Sequence, residues 1–241
     1  MSNTSVLAII PARGGSRGIP KKNLVPLASI PLVAYSIAQA RGAARVDRVV
    51  VSTDSHEIAE VSEKWGAEVI DRPADISGPE STTESAMIHA INQVECDGYH
   101  PTHCVLLQPT SPFRDPGAID GALAALIDGG FDSLLSVETS HISLWTPGEE
   151  TATAQYDFEN RVMRQEVIDR QRRENGSIYA FTTELLKTTN NRLGGNIALH
   201  LSNEVESLEI DTLFDLWVCQ QVVENNKWPY PLPPLPRVVD M

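Results

Sequence analysis

Residues 11–23, PARGGSRGIPKKN, concentrate the chemistry of the N-terminal region: Arg13, Arg17, Lys21 and Lys22 fall within ten residues and are separated by Gly14, Gly15 and Gly18. Glycines let backbone approach an anion closely and aim N–H groups at it, while the cations neutralise charge. The spacing matches neither G-x-x-x-x-G-K-[ST] nor a G-x-G-x-x-G that opens a helix. What remains is a cationic glycine-rich loop suited to a triphosphate, with a solvated surface turn as the bland alternative. Far along the chain, Glu209 and Asp211 stand two residues apart. On an extended segment both carboxylates face one side, a geometry that suits magnesium bridging to substrate phosphates. Asp211-Thr212 could instead cap the following helix, with Asp215 in its first turn. The histidines form no cluster.

The elements that position these groups follow from periodicity. VLAIIP (Val6–Pro11) is a continuous apolar run that ends at the loop, as a central parallel strand should. Similar runs recur at Arg48–Ser52, Ala67–Ile70, Cys104–Leu107 and Ser133–Val137. Helical patterns alternate with them at Leu32–Ala40, Ser55–Trp65, Thr83–Val94 and Pro116–Ile127, the last with a proline expected at its first position. Strand–helix alternation predicts an α/β fold, a doubly wound, mostly parallel sheet that binds ligands at the carboxyl ends of its strands. The alternation breaks over about residues 140–173, a polar stretch too long for an ordinary loop. A lid or an oligomerisation excursion is expected there. Strands return at Gly176–Phe181 and Ile197–Leu201, then a helix at Leu213–Val223. One domain over residues 1–226 is expected, followed by a proline-rich tail over 227–241 that favours polyproline II.

Composition narrows the class. The 241 residues are 41% hydrophobic and 21% charged, ordinary for a globular chain large enough to bury one core. A formal net charge of −13 argues against nucleic acid as a partner. No apolar run approaches a membrane span, and the first residues do not read as a signal peptide. Cys96, Cys104 and Cys219, odd in number and far apart, read as reduced thiols; a cytoplasmic setting is expected.

Six segments, in order, carry a family resemblance. They are the 11–23 loop; VVSTD at 50–54; Arg72-Pro73 with Thr82-Thr83-Glu84-Ser85; LLQPTSPFR at 106–114; Arg164-Gln165 with NGSIY at 175–179; and Ser207 to Thr212 with Asp215-Leu216. Together they resemble the N-acylneuraminate cytidylyltransferases, or CMP-sialic acid synthetases, over nearly the whole chain. The resemblance implies a transferase that joins the CMP half of CTP to the anomeric hydroxyl of an acidic nine-carbon sugar. It implies roles too: Arg13, Ser16, Arg17 and Lys22 on the triphosphate, with Asn23 orienting it, and Arg72, Thr82 and Thr83 at cytosine. Gln108, Arg164, Asn175 and Tyr179 would bind the sugar, Arg164 through its carboxylate. Arg13, Lys22 and Asp211 would be catalytic, with Mg2+ on Glu209 and Asp211. The excursion would mediate a homodimer.

Three departures from the family pattern stand in the sequence. Arg17 occupies a position where lysine is usual, which removes a proton acceptor but keeps the charge. Glu209 replaces an aspartate, and residues 167–173 (VIDRQRR) lack the usual proline and aromatic. Thr82 and Thr83 could also simply cap the next helix. The rival readings are a cytidylyltransferase for the eight-carbon 3-deoxy-manno-octulosonate, a glycosyltransferase of similar architecture, and a non-catalytic nucleotide-binding relative.

Overall fold

A computed structural model describes residues 4–16 and 18–234. Arg17, expected on the triphosphate, and the end of the proline-rich tail lie outside the described residues. The strands are β1 (Val6–Pro11), β2 (Pro26–Leu27), β3 (Ile30–Pro31), β4 (Arg48–Thr53), β5 (Glu68–Asp71), β6 (His103–Leu107), β7 (Ser133–Thr139), β8 (Trp145–Pro147), β9 (Ala152–Ala154), β10 (Arg172–Thr182) and β11 (Ile197–Leu201). The helices are α1 (Leu32–Gly42), α2 (His56–Lys64), α3 (Thr83–Cys96), α4 (Ala118–Gly129), α5 (Arg164–Arg170), α6 (Thr183–Thr189) and α7 (Leu213–Glu224).

Seven strands form the main sheet in the order β11-β7-β10-β6-β1-β4-β5. All are parallel except β10, which pairs antiparallel with both β6 and β7. From β1 the chain runs outward through β4 to β5, then returns to place β6 on the other side of β1. Strand order therefore reverses between β1 and β4 on one side and β6 on the other, and the carboxyl ends of β1 and β6 open onto the crevice where such sheets bind ligands. Apolar residues on both faces of β1 explain its central place. Ala8 and Ile10 pack towards α1 and α4, and Leu7 and Ile9 pack against α3.

Local chemistry fixes the helix starts. The Ser55 hydroxyl accepts from Ile58 N–H, and the Thr82 hydroxyl accepts from Ser85 N–H at 3.1 Å. A reciprocal capping box between Thr212 and Asp215 opens α7. Helix α4 begins at Ala118, not at Pro116 as expected. Asp115 accepts from Gly117 N–H and Ala118 N–H, so the proline sits in the turn before the helix. The strands β2, β3, β8 and β9 and the helices α5 and α6 were not anticipated. Each is seven residues or fewer, too short for periodicity to register.

The excursion contains the hairpin and α5 and exposes Leu144, Trp145, Phe158 and Met163. Part of the tail belongs to the packed molecule. The Trp228 ring lies 5.1 Å from Phe113, and the Tyr230 hydroxyl donates to Asp115. All three cysteines are free, Cys104 and Cys219 buried and Cys96 exposed. Among the described residues, no helix is long and apolar enough to cross a membrane.

Candidate active site at the carboxyl ends of β1 and β6

A cavity of about 370 Å³ opens at the strand-order reversal, lined by Arg13, Ser16, Lys22, Asn23, Gln108 and Asp211 among others. It joins the glycine-rich loop after β1, the turn after β6 and the acidic segment before α7.

The loop is held by its own backbone. Gly14 N–H donates to Asp54 Oδ1 at 2.8 Å, and the buried Asn23 amide donates to the Arg13 carbonyl at 2.9 Å. Asn23 thus shapes the loop from within. Arg13 reaches sideways, its Nη1 donating to the Gly78 carbonyl at 3.0 Å. Gly18 packs so closely on the acidic segment that a Cβ there would lie 2.3 Å from the Asp211 carbonyl oxygen. The position therefore requires glycine.

The acidic segment is pinned to the turn after β6. Ile210 N–H donates to the Thr110 carbonyl, and the Thr110 hydroxyl donates to Glu209 Oε1 at 3.1 Å. Burial raises the Glu209 carboxyl above the usual carboxylate range, and the neighbouring Asp211 charge adds to the effect, while Thr110 and Lys22 pull it back. Asp211 is exposed, and its Oδ1 meets Lys22 Nζ at 2.7 Å. The capping alternative for this segment resolves by residue: Thr212 and Asp215 cap α7, which leaves the Asp211 side chain on Lys22. Two oxygen-bearing side chains that repel one another fit a divalent cation. Among the described residues no third acid, histidine or cysteine joins them, so the remaining ligands would come from water or phosphate, as magnesium commonly requires.

Arg72 stands at the end of β5, buried, with its Nε donating to Ser52 Oγ at 3.0 Å. Burial lowers its guanidinium below the ordinary arginine value; Asp54 partly offsets this and Arg13 reinforces it. Thr82 and Ser85 line a second cavity of about 420 Å³ along residues 75–85, the segment that Arg13 grips through Gly78. Thr83 is the first residue of α3.

The expected sugar-binding residues divide. Gln108 lines the main cavity. Its Nε2 lies within 3.3 Å of where a Gly176 Cβ would stand, and Gly176 has a φ of +71°, a conformation that glycine adopts without strain. Asn175 is buried and turned inward, its amide donating to Ser207 Oγ at 3.0 Å and accepting from Ser136 and from Ser177 N–H. Tyr179 is buried too: its hydroxyl donates to Glu174 and Arg192 lies over its ring at 4.3 Å. Arg164 is exposed and lines a separate cavity of about 610 Å³ within the excursion. The chain therefore lines one cavity with Arg13, Ser16, Lys22, Asn23, Gln108 and Asp211 and sets Glu209 beside it through Thr110. It turns Asn175 and Tyr179 out of that lining and places Arg164 in a separate cavity. Sequence reasoning missed Thr110 and Arg114. A hydroxyl beside a strand end carries no signal, whereas a cation closing the apolar PTSPF turn could have been noticed.

A family model for cytidylyltransferases matches residues 7–194. The chain belongs to the cytidylyltransferase family. An N-acylneuraminate cytidylyltransferase of Oncorhynchus mykiss is 32% identical to it over 228 residues, covering 90% of this chain and 50% of the relative. The chain spans about half the length of that and other fish relatives it matches. A CMP-N,N'-diacetyllegionaminic acid synthase of Legionella pneumophila is 32% identical over 237 residues, covering 92% of this chain and 97% of the relative. This cytidylyltransferase also shares its fold with a CMP-2-keto-3-deoxy-manno-octonic acid synthetase solved in complex with CTP, with a TM-score of 0.69 at 15% identity over 92% of this chain and 100% of the other. The expected α/β nucleotidyltransferase architecture and family resemblance are both borne out.

Proposed function

We propose that this cytidylyltransferase transfers CMP from CTP to the anomeric hydroxyl of an acidic nine-carbon keto sugar. The observation that carries the reading is the Lys22–Asp211 contact. It closes a cationic loop and an acidic segment around one cavity at the strand-order reversal. The names of the relatives, which concern sialic and legionaminic acids, support the sugar class.

In this reading the anomeric oxygen attacks the α-phosphorus, a new P–O bond forms, the bond to the bridging oxygen breaks, pyrophosphate leaves, and the hydroxyl proton passes to water. Positioning and charge neutralisation supply most of such a rate enhancement. Arg13, Ser16, Arg17 and Lys22 hold the triphosphate, while Asn23 stiffens the loop that presents them. Arg72, Thr82 and Thr83 form the cytosine end, with Thr82 also capping α3. Gln108, whose amide both donates and accepts, faces the sugar. Glu209 and Asp211 would hold Mg2+, which when bound neutralises phosphate charge.

The excursion supports a homodimer. It exposes a run of large apolar side chains, and Arg164 would reach a sugar carboxylate in the site of a second copy, not in its own. Free thiols support a reducing, cytoplasmic setting.

The test is pyrophosphate release with magnesium and CTP across a panel of acidic sugars of eight and nine carbons. Release with one nine-carbon acid, absent with UTP, is the expected result. Release with the eight-carbon acid alone would transfer the reading to that substrate, and silence with all of them would end it.

A further inference from the structure

Arg114 is 2% exposed, and among the described residues no carboxylate touches its guanidinium. Burying a cation is costly unless its donors are met. Every N–H of this one is placed. Nη2 donates to the Gln108 carbonyl and to the Ser177 carbonyl, both at 2.9 Å. Nε donates again to Ser177, and Nη1 donates to Ser36 Oγ and Gln39 Oε1 on α1. Burial pushes the guanidinium down to about 9, still charged at neutral pH.

The location gives the contacts their meaning. Strands β6 and β10 pair up to Leu107 and Ile178, and Gln108 and Ser177 are the next residues on each. Their carbonyls are two acceptors at the mouth of a ladder, with the β10–β7 register shifting between Glu174 and Tyr179. A single nitrogen bridging both carbonyls sets how far the strand ends splay. Gln108 projects from one side of that mouth and the positive-φ Gly176 approaches it from the other.

We propose that Arg114 is a positioning residue for the acidic sugar, fixing the spacing between Gln108 and the β10 bulge so that the Gln108 amide meets its substrate in one orientation. This rests on the sugar-transfer reading above. Arg114 touches neither the glycine-rich loop nor the acidic segment, so its effect separates by substrate. Lysine cannot substitute, because one ammonium lacks the planar fork that spans two carbonyls and α1.

The experiment is steady-state pyrophosphate release by the full chain, varying the sugar at saturating CTP and CTP at saturating sugar. It compares the wild type with Arg114→Lys and Gln39→Met. Arg114→Lys should raise KM for the sugar roughly ten- to a hundredfold with KM for CTP within about twofold, as misplacing a binding group does. Gln39→Met, which removes one acceptor from Arg114 together with the Gln39 Nε2 bond to the Pro112 carbonyl and leaves the cation, should move the sugar KM in the same direction by a smaller factor. It also decides the matter if the lysine variant does not fold. Equal rises for both substrates, a fall in kcat alone, or no change in the sugar KM would overturn the proposal while the sugar-transfer reading stands. A wild type that turns over no acidic sugar would overturn both.

Discussion

The Lys22 ammonium and the Asp211 carboxylate, 189 residues apart in sequence, meet at 2.7 Å across the mouth of the site. Asp211 is mostly exposed, and ion pairs of that kind contribute only about 0–1 kcal/mol to folding. In the proposed reaction its value lies in aligning a cation for the triphosphate with a carboxylate for the metal. Lys22→Met should therefore lower turnover by roughly 10²–10³, the usual loss when one preorganised charge is removed from a transition state. The melting temperature should move by no more than about 2 °C. Turnover and thermal unfolding measured on one preparation check this, and a large fall in melting temperature would recast Lys22 as structural.

Glu209 makes a prediction about pH. Its folded carboxyl is raised by burial and then by Asp211. A raised group stabilises the fold below its unfolded value, and that stabilisation is lost as pH rises through the folded value. Magnesium needs the ionised form and offsets the repulsion from Asp211. Added magnesium should thus raise the melting temperature by a few degrees at about pH 8 and far less at about pH 5. Asp211→Asn should abolish the difference. An equal magnesium effect at both pH values would place the ion elsewhere.

The central sheet was legible where strands are apolar runs bounded by turn signals, and β1 and β11 match their expected limits at both ends. Strand β10 instead begins at Arg172, four residues before the expected Gly176, because its polar start carries no apolar signal. The site was legible where chemistry is local, as in the 11–23 loop and the Glu209/Asp211 pair. It was illegible where tertiary contacts decide. Nothing in the sequence says that Asn175 turns inward to Ser207, that Tyr179 lies beneath Arg192, or that Arg114 is buried against two carbonyls. Asn175 and Ser207 are 32 positions apart, and Arg114 and Ser177 are 63 apart. The excursion lacked periodicity because it leaves Leu144, Trp145, Phe158 and Met163 exposed instead of burying one face.

Thr82 and Thr83 separate capping from recognition. Thr82 accepts from Ser85 N–H, so Thr82→Ala should cost about 1 kcal/mol of stability and lower the melting temperature by roughly 2–4 °C. Thr83 lies inside the first turn of α3. Thr83→Val should leave the melting temperature nearly unchanged and raise KM for CTP several-fold, about the loss of one hydrogen bond. Calorimetry and CTP titration of both variants distinguish the two roles. A Thr83→Val enzyme with unaltered KM for CTP would remove that residue from the cytosine site.

Gly18 tests whether loop and acidic segment work as one unit. A methyl group there would lie 2.3 Å from the Asp211 carbonyl oxygen, and backbone cannot yield as a side-chain tip can. The exposed loop must lift instead, which parts Lys22 from Asp211 without disturbing the sheet. Gly18→Ala should therefore lower turnover at least about tenfold and weaken the magnesium response, with a melting temperature close to that of the wild type. Gly42, outside the loop at the end of α1, is the control, since a methyl group there meets nothing within 4 Å, and Gly42→Ala should retain most activity. If both alanine variants were equally active, close contact between the loop and Asp211 would not be what assembles the site.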